Sequence, residues 1–130
     1  MSIKYASAAA ALISILSALA AQAQDRLATV QYLYTECTTN PTGVCALYIT
    51  AVAETMWPNG HILSTLPTDT SVTVKRAVAA GAICFAGKVP AAAAVQAFKN
   101  WAGPNPQFWG DSRFDGVVMA LRSTRPCPVP

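Results

Sequence analysis

Four cysteines and a single histidine are the residues of this chain best equipped for chemistry. Cys37 and Cys45 flank the turn-forming "NPTG", Cys84 and Cys127 lie far downstream, and His61 sits in "WPNGHIL". Structural zinc asks for four ligands in tight pairs such as C-x2-C, and no such pair occurs. Thioredoxin-style exchange asks for C-x-x-C, which is also missing. A Cys–His nucleophile needs a free thiol and would leave an odd cysteine behind. Two inert disulfides fit better, as is usual for an even cysteine count in a short exported chain. Three pairings are open to four cysteines, and sequence does not decide among them. Geometry favours Cys37–Cys45, closing a short turn between helices, with Cys84–Cys127 tying the start of a helical hairpin to its end.

The other reactive groups form no constellation. Asp25, Glu36, Glu54, Asp69, Asp111 and Asp115 are scattered, without a paired acid and base. There is no glycine-rich phosphate loop and no H-E-x-x-H motif. The sequence therefore predicts a protein with no catalytic residues, no metal and no cofactor, one that works by binding.

The N-terminus sets the compartment. Lys4 precedes an apolar run of Ala, Ser, Leu and Ile from Ala6 to Ala20, and Ala21-Gln22-Ala23 follows. A basic start, a short apolar stretch and an A-x-A site describe a secretory signal peptide over residues 1–23. No cysteine stands at the cleavage point, so lipid anchoring is not indicated. Residues 24–130 are then one small domain, exported and soluble. Without Lys4 that part holds eight Lys and Arg against six Asp and Glu. Such a balance, with no basic run, leaves no footprint for nucleic acid.

Periodicity predicts the elements that must carry these residues. Asp25 to Cys37 reads as a helix with Leu27, Val30, Leu33, Tyr34 and Cys37 on one face. A second runs from about Val44 to Trp57, with Val44, Leu47, Tyr48, Val52 and Met56 as its stripe, and Pro58-Asn59-Gly60 reads as its stop. The stretch 61–83 reads equally as a short strand or as a helix ending at Gly81. Pro90 opens a third helix with Val95, Phe98, Trp101 and Ala102 inward. Gly103 to Asp111, "GPNPQFWGD", is a stiff loop. Ser112 caps a last helix in a weak capping box with Asp115. Phe114, Val117, Val118 and Leu121 form its stripe, and Pro126 and Pro128 end it. The sum is an all-α bundle of roughly four helices.

A binding protein needs anchors that its core can spare. Phe108 and Trp109 fall where a rigid loop tip is expected, with Trp57 and His61 as a second pair. Trp109 is equally suited to fold back over the small core.

These residues together resemble a known family. A cysteine ending the first helix followed by "VCALYITAVAETM" resembles the C-x-x-Y-I-x-G-V element of the type VI secretion amidase immunity proteins, the Tai and Rap group. "ICFAGKVPAAAAVQAFKNWAGPNPQFWGDSRFDGVVMALRSTRPCP" resembles that family's second half, and all four cysteines fall on its cysteine positions. Thr50-Ala51-Val52, "CFAGKVP" and the long stretch from Trp57 to Ile83 depart from the pattern. The resemblance implies a periplasmic, all-helical immunity protein, often a homodimer. Its partner would be a cell-wall amidase of the papain-like type, blocked by a loop or helix end pushed into the cleft. The rival expectation is a periplasmic acid-stress chaperone, also small, helical and disulfide-bonded.

Overall fold

Prolines set the lengths of the helices. The computed structural model describes residues 25–84 and 89–128; the leader assigned to 1–23 and positions 85–88 of "CFAGKVP" lie outside them. Among the described residues there are five α-helices and no named strand. They are α1 (Val30–Thr39), α2 (Val44–Thr65), α3 (Val72–Ala80), α4 (Ala91–Ala102) and α5 (Arg113–Thr124), with a 3-10 turn over Pro106–Phe108. The C-caps of α1, α2, α4 and α5 are Asn40, Leu66, Gly103 and Arg125, and each is followed at once by proline. A proline ring crowds the helical conformation of the residue before it, so the helix closes there. Leu66 accordingly leaves α2 in extended backbone, with ψ of 139°. Gly103 alone stays helical in φ and ψ, having no Cβ to meet the ring.

α4 is the central helix and packs against α1, α2 and α5, while α3 lies on α2. The core it organises is apolar throughout. Val30, Leu33, Ile49, Phe98, Val117 and Leu121 are buried, and no polar or charged side chain is buried among the described residues. Both disulfides take the pairing that geometry favours. Cys37–Cys45 joins the end of α1 to the start of α2 with Cα atoms 5.0 Å apart. Cys84–Cys127 joins the segments after α3 and after α5 at 4.9 Å.

Several boundaries and faces differ from the sequence reading. The first helix does not run unbroken from Asp25. Thr29 interrupts it in extended backbone, bridges Ser112 and caps α1 by accepting from the Tyr32 N–H. Leu27 is consequently exposed. Ser112 caps α5 without a side-chain hydrogen bond, so the expected capping box is not made. The Arg113 N–H donates to the Ala28 carbonyl at 2.7 Å, which satisfies that end of α5. Pro90 is the N-cap of α4, one position before its first helical residue. In α2 the buried stripe is Cys45, Ile49, Val52, Ala53 and Met56, whereas Val44 and Leu47 face water. The crosslink fixes this phase, because a disulfide to buried Cys37 turns Cys45 inward. Phe114 is also exposed, and Phe98 holds the centre instead. Of the two readings for 61–83, the helix is found, over Val72–Ala80 with Ser71 as cap and Gly81 as stop.

The largest correction concerns Pro58-Asn59-Gly60. These residues lie inside α2, which continues to Thr65. Pro58 removes only the N–H that would reach the Glu54 carbonyl, and both residues are exposed, so water can take its place. Past it, two tertiary contacts hold the helix. The Asn59 side-chain amide donates to the Gly81 carbonyl at 2.8 Å, stitching α2 to the end of α3. Gly60 is buried against the Ile83 carbonyl oxygen, where any Cβ would collide with backbone. Pro58→Ala is therefore expected to stabilise the protein by about 1–3 kcal/mol, since it restores a helix-interior hydrogen bond. Urea denaturation reads this directly. A neutral or destabilising result would mean that α2 ends before Pro58.

Candidate functional site

Loop 103–111 is braced by its own aromatics. Trp109 lies half-buried and folds back over the core, the second of the two fates open to it from sequence. Its indole N–H donates to the Ala102 carbonyl at 2.9 Å, and its ring stacks on Tyr34 at 5.7 Å. The Trp109 and Asp111 carbonyls accept from the Gln31 and Val30 N–H groups at 3.0 and 2.9 Å. The Asn105 side chain donates to the Trp101 carbonyl at 2.7 Å. The loop is thus fastened to α4 on one side and to α1 on the other. Pro104, Pro106, Gln107 and Gly110 form its exposed rim.

Trp109→Phe keeps the ring and deletes the N–H. The Ala102 carbonyl retains the Asn105 N–H at 3.3 Å, so the expected loss is about 1 kcal/mol. Thermal denaturation measures it. No change would place the indole in solvent.

Phe108 has a different neighbourhood. It stacks on Trp101 at 5.6 Å and forms part of the wall of an open groove of about 500 Å³. Arg76 of α3, Met119 and Arg122 of α5, and Cys127 complete much of that lining. Trp57 and His61 lie one turn apart on the outer face of α2, their rings stacked at 6.0 Å. Trp57 is 42% exposed and borders a separate depression with Thr50, Glu54 and Val89. The four residues expected to contact a partner are therefore not gathered into one concavity.

The arginines and Met119 were missed by sequence reading. Arg122 falls near a helix C-terminus, where a cation is commonplace, and Arg76 carries no motif. They meet because α3 and the end of α5 are drawn to one side, where Cys84 bonds to Cys127 and the Cys84 N–H donates to the Arg125 carbonyl at 3.4 Å. Met119, adjacent to the inward-facing Val117 and Val118, could have been flagged as the one large apolar residue off their stripe.

All four cysteine sulfurs are in disulfides, so His61 has no thiol to activate. Among the described residues no group of three His, Cys, Asp or Glu could hold a metal ion. None of the described helices is long and apolar enough to cross a membrane. What the surface does offer is a stiff loop, an aromatic pair on α2 and a groove lined by two arginines and two aromatics. No family model matches the chain, and no curated protein or solved structure matches it either.

Proposed function

We propose that this chain is an exported, non-catalytic inhibitor that binds a peptidoglycan amidase and covers its active-site cleft, as the immunity proteins it resembles do. The observation that carries this reading is the braced loop 103–111. A protein loop that must fill another protein's cleft binds best when its ordering cost is met on folding rather than on docking. Trp109 meets that cost here through its hydrogen bond to Ala102 and its stack on Tyr34, and the 3-10 turn Pro106–Phe108 fixes the rim. The aromatics therefore serve in two ways. Trp109 stiffens the loop from beneath, and the outer face of Phe108 with Pro106 and Gln107 makes contact. Trp57 and His61 supply a second patch on α2.

The leader pattern of residues 1–23 and the two disulfides fit an oxidising periplasm, where such an amidase would act. Two crosslinks also keep the body rigid while the loop is loaded.

The test is calorimetric binding of the mature protein to a purified papain-like cell-wall amidase, the first choice being any such enzyme that a neighbouring gene encodes. Pro106→Gly with Gln107→Ala, both at exposed positions, should weaken binding about tenfold or more while leaving the fold intact. Undiminished affinity of that variant would remove the loop from the interface. A chain that instead loosens near pH 2 and holds unfolded clients would be a chaperone, and the inhibitor reading would fall.

A further inference from the structure

The groove beside Phe108 has a composition that specifies its occupant. Much of its lining is apolar, including the stacked pair Trp101 and Phe108 and Met119, which is 45% exposed. Arg76 and Arg122 line it from two different helices, and both are exposed. No carboxylate lines the groove. Neither guanidinium has a hydrogen-bond or ion-pair partner among the described residues. The contrast with Arg113 is direct, since that side chain donates to the Leu27 carbonyl at 3.1 Å and lies 4.3 Å over the Tyr48 ring. Two arginines with no carboxylate between them, beside half-buried aromatic surface, are suited to an anion that also carries apolar surface. Cys127 in its lining is crosslinked to Cys84, which ties that part of the groove to the segment after α3.

We propose that this groove receives an acidic segment of a protein partner, with a large apolar side chain next to its carboxylates. The carboxylates pair with Arg76 and Arg122, and the apolar side chain lies between Met119 and the Trp101–Phe108 stack. The assignment rests on the inhibitor reading and deepens it, since the segment then belongs to the amidase and docks beside the inserted loop.

The blocked tripeptide Phe-Asp-Glu serves as probe, with Phe-Asn-Gln as its neutral counterpart, followed by nitrogen-15 chemical-shift changes. The acidic peptide is expected to shift Arg76, Met119, Arg122 and the Trp101 indole, and to bind more weakly as salt is raised. The variant Arg76→Gln with Arg122→Gln should lose about tenfold in affinity without loss of helicity. The groove proposal is overturned by equal binding of the neutral peptide, by unchanged affinity of the variant, by shifts confined elsewhere, or by no shift at millimolar peptide. It is equally overturned if anionic phosphatidylglycerol vesicles bind through these arginines and the peptide does not. Two further outcomes separate the readings. Full amidase inhibition by the double variant would take the segment away from the amidase and leave the inhibitor standing. Peptide binding by a chain that fails to inhibit would leave the groove and remove the inhibitor.

Discussion

Replacing Cys84 and Cys127 together by serine is expected to lower stability by about 4 kcal/mol, on the chain-entropy account of a crosslink. The bond spans 43 positions and encloses both α4 and α5, so cutting it frees a large loop in the unfolded chain. Both cysteines are only half-buried, and serine there brings little desolvation cost of its own. A domain of this size has net stability on the order of 5–15 kcal/mol, so the loss is a large share of it. The same exchange at Cys37 and Cys45, separated by 8 positions, is expected to cost nearer 2.5 kcal/mol from loop closure. Those two sulfurs are buried, and the serines add a polar burial penalty to that figure. Urea denaturation of the two variants distinguishes the contributions. No loss in the Cys84 and Cys127 variant would mean that loop closure contributes nothing there.

Phe98→Ala is expected to cost about 3–5 kcal/mol, the range for emptying a buried aromatic site. Phe98 is fully buried on α4, the helix that touches α1, α2 and α5. Truncation leaves a void where those helices converge, and the crosslinked frame limits how far they can collapse into it. Phe114, which the sequence reading placed in the core, is the natural control. It is 48% exposed, and its change to alanine should stay within about 0.5 kcal/mol. Equal losses at Phe98 and Phe114 would contradict the packing described here.

The two phenylalanines also show what can be read from this sequence. The α4 stripe of Val95, Phe98 and Ala102 was legible, because a helix packed on three others repeats its apolar positions with a strong period. The α5 stripe was legible at Val117 and Leu121 and failed at Phe114. The N-terminus of α5 is held by backbone hydrogen bonds with Ala28, which accepts from the Arg113 N–H, and with Val30, which donates to the Asp111 carbonyl, and no local pattern announces them. The phase of α2 slipped because so many of its 22 residues are apolar that neither face stands out. Cys45 carried the missing information, since a disulfide partner must face the same interior as Cys37. Pro58 misled for a related reason. A proline reads as a stop, yet α2 crosses it on the solvent side, and the real stop is Pro67. Gly60, read as a breaker, is a contact point that only packing against Ile83 reveals.

The candidate site was less legible than the fold. Loop 103–111 could be found from its prolines, glycines and aromatics. Which aromatic braces it and which faces outward depends on the Ala102 carbonyl and on Tyr34, residues outside the loop. The Arg76–Arg122 groove has no sequence signature at all, because its two cations lie 46 positions apart, on α3 and α5, and line one groove only in the folded chain.

Inhibition of amidase action on purified peptidoglycan, followed as the mature protein is titrated in, tests the central claim most directly. The account expects stem-peptide release to fall linearly and stop at one inhibitor per enzyme, with the disulfides intact throughout. Undiminished release at a large molar excess of the folded, fully oxidised chain would contradict it.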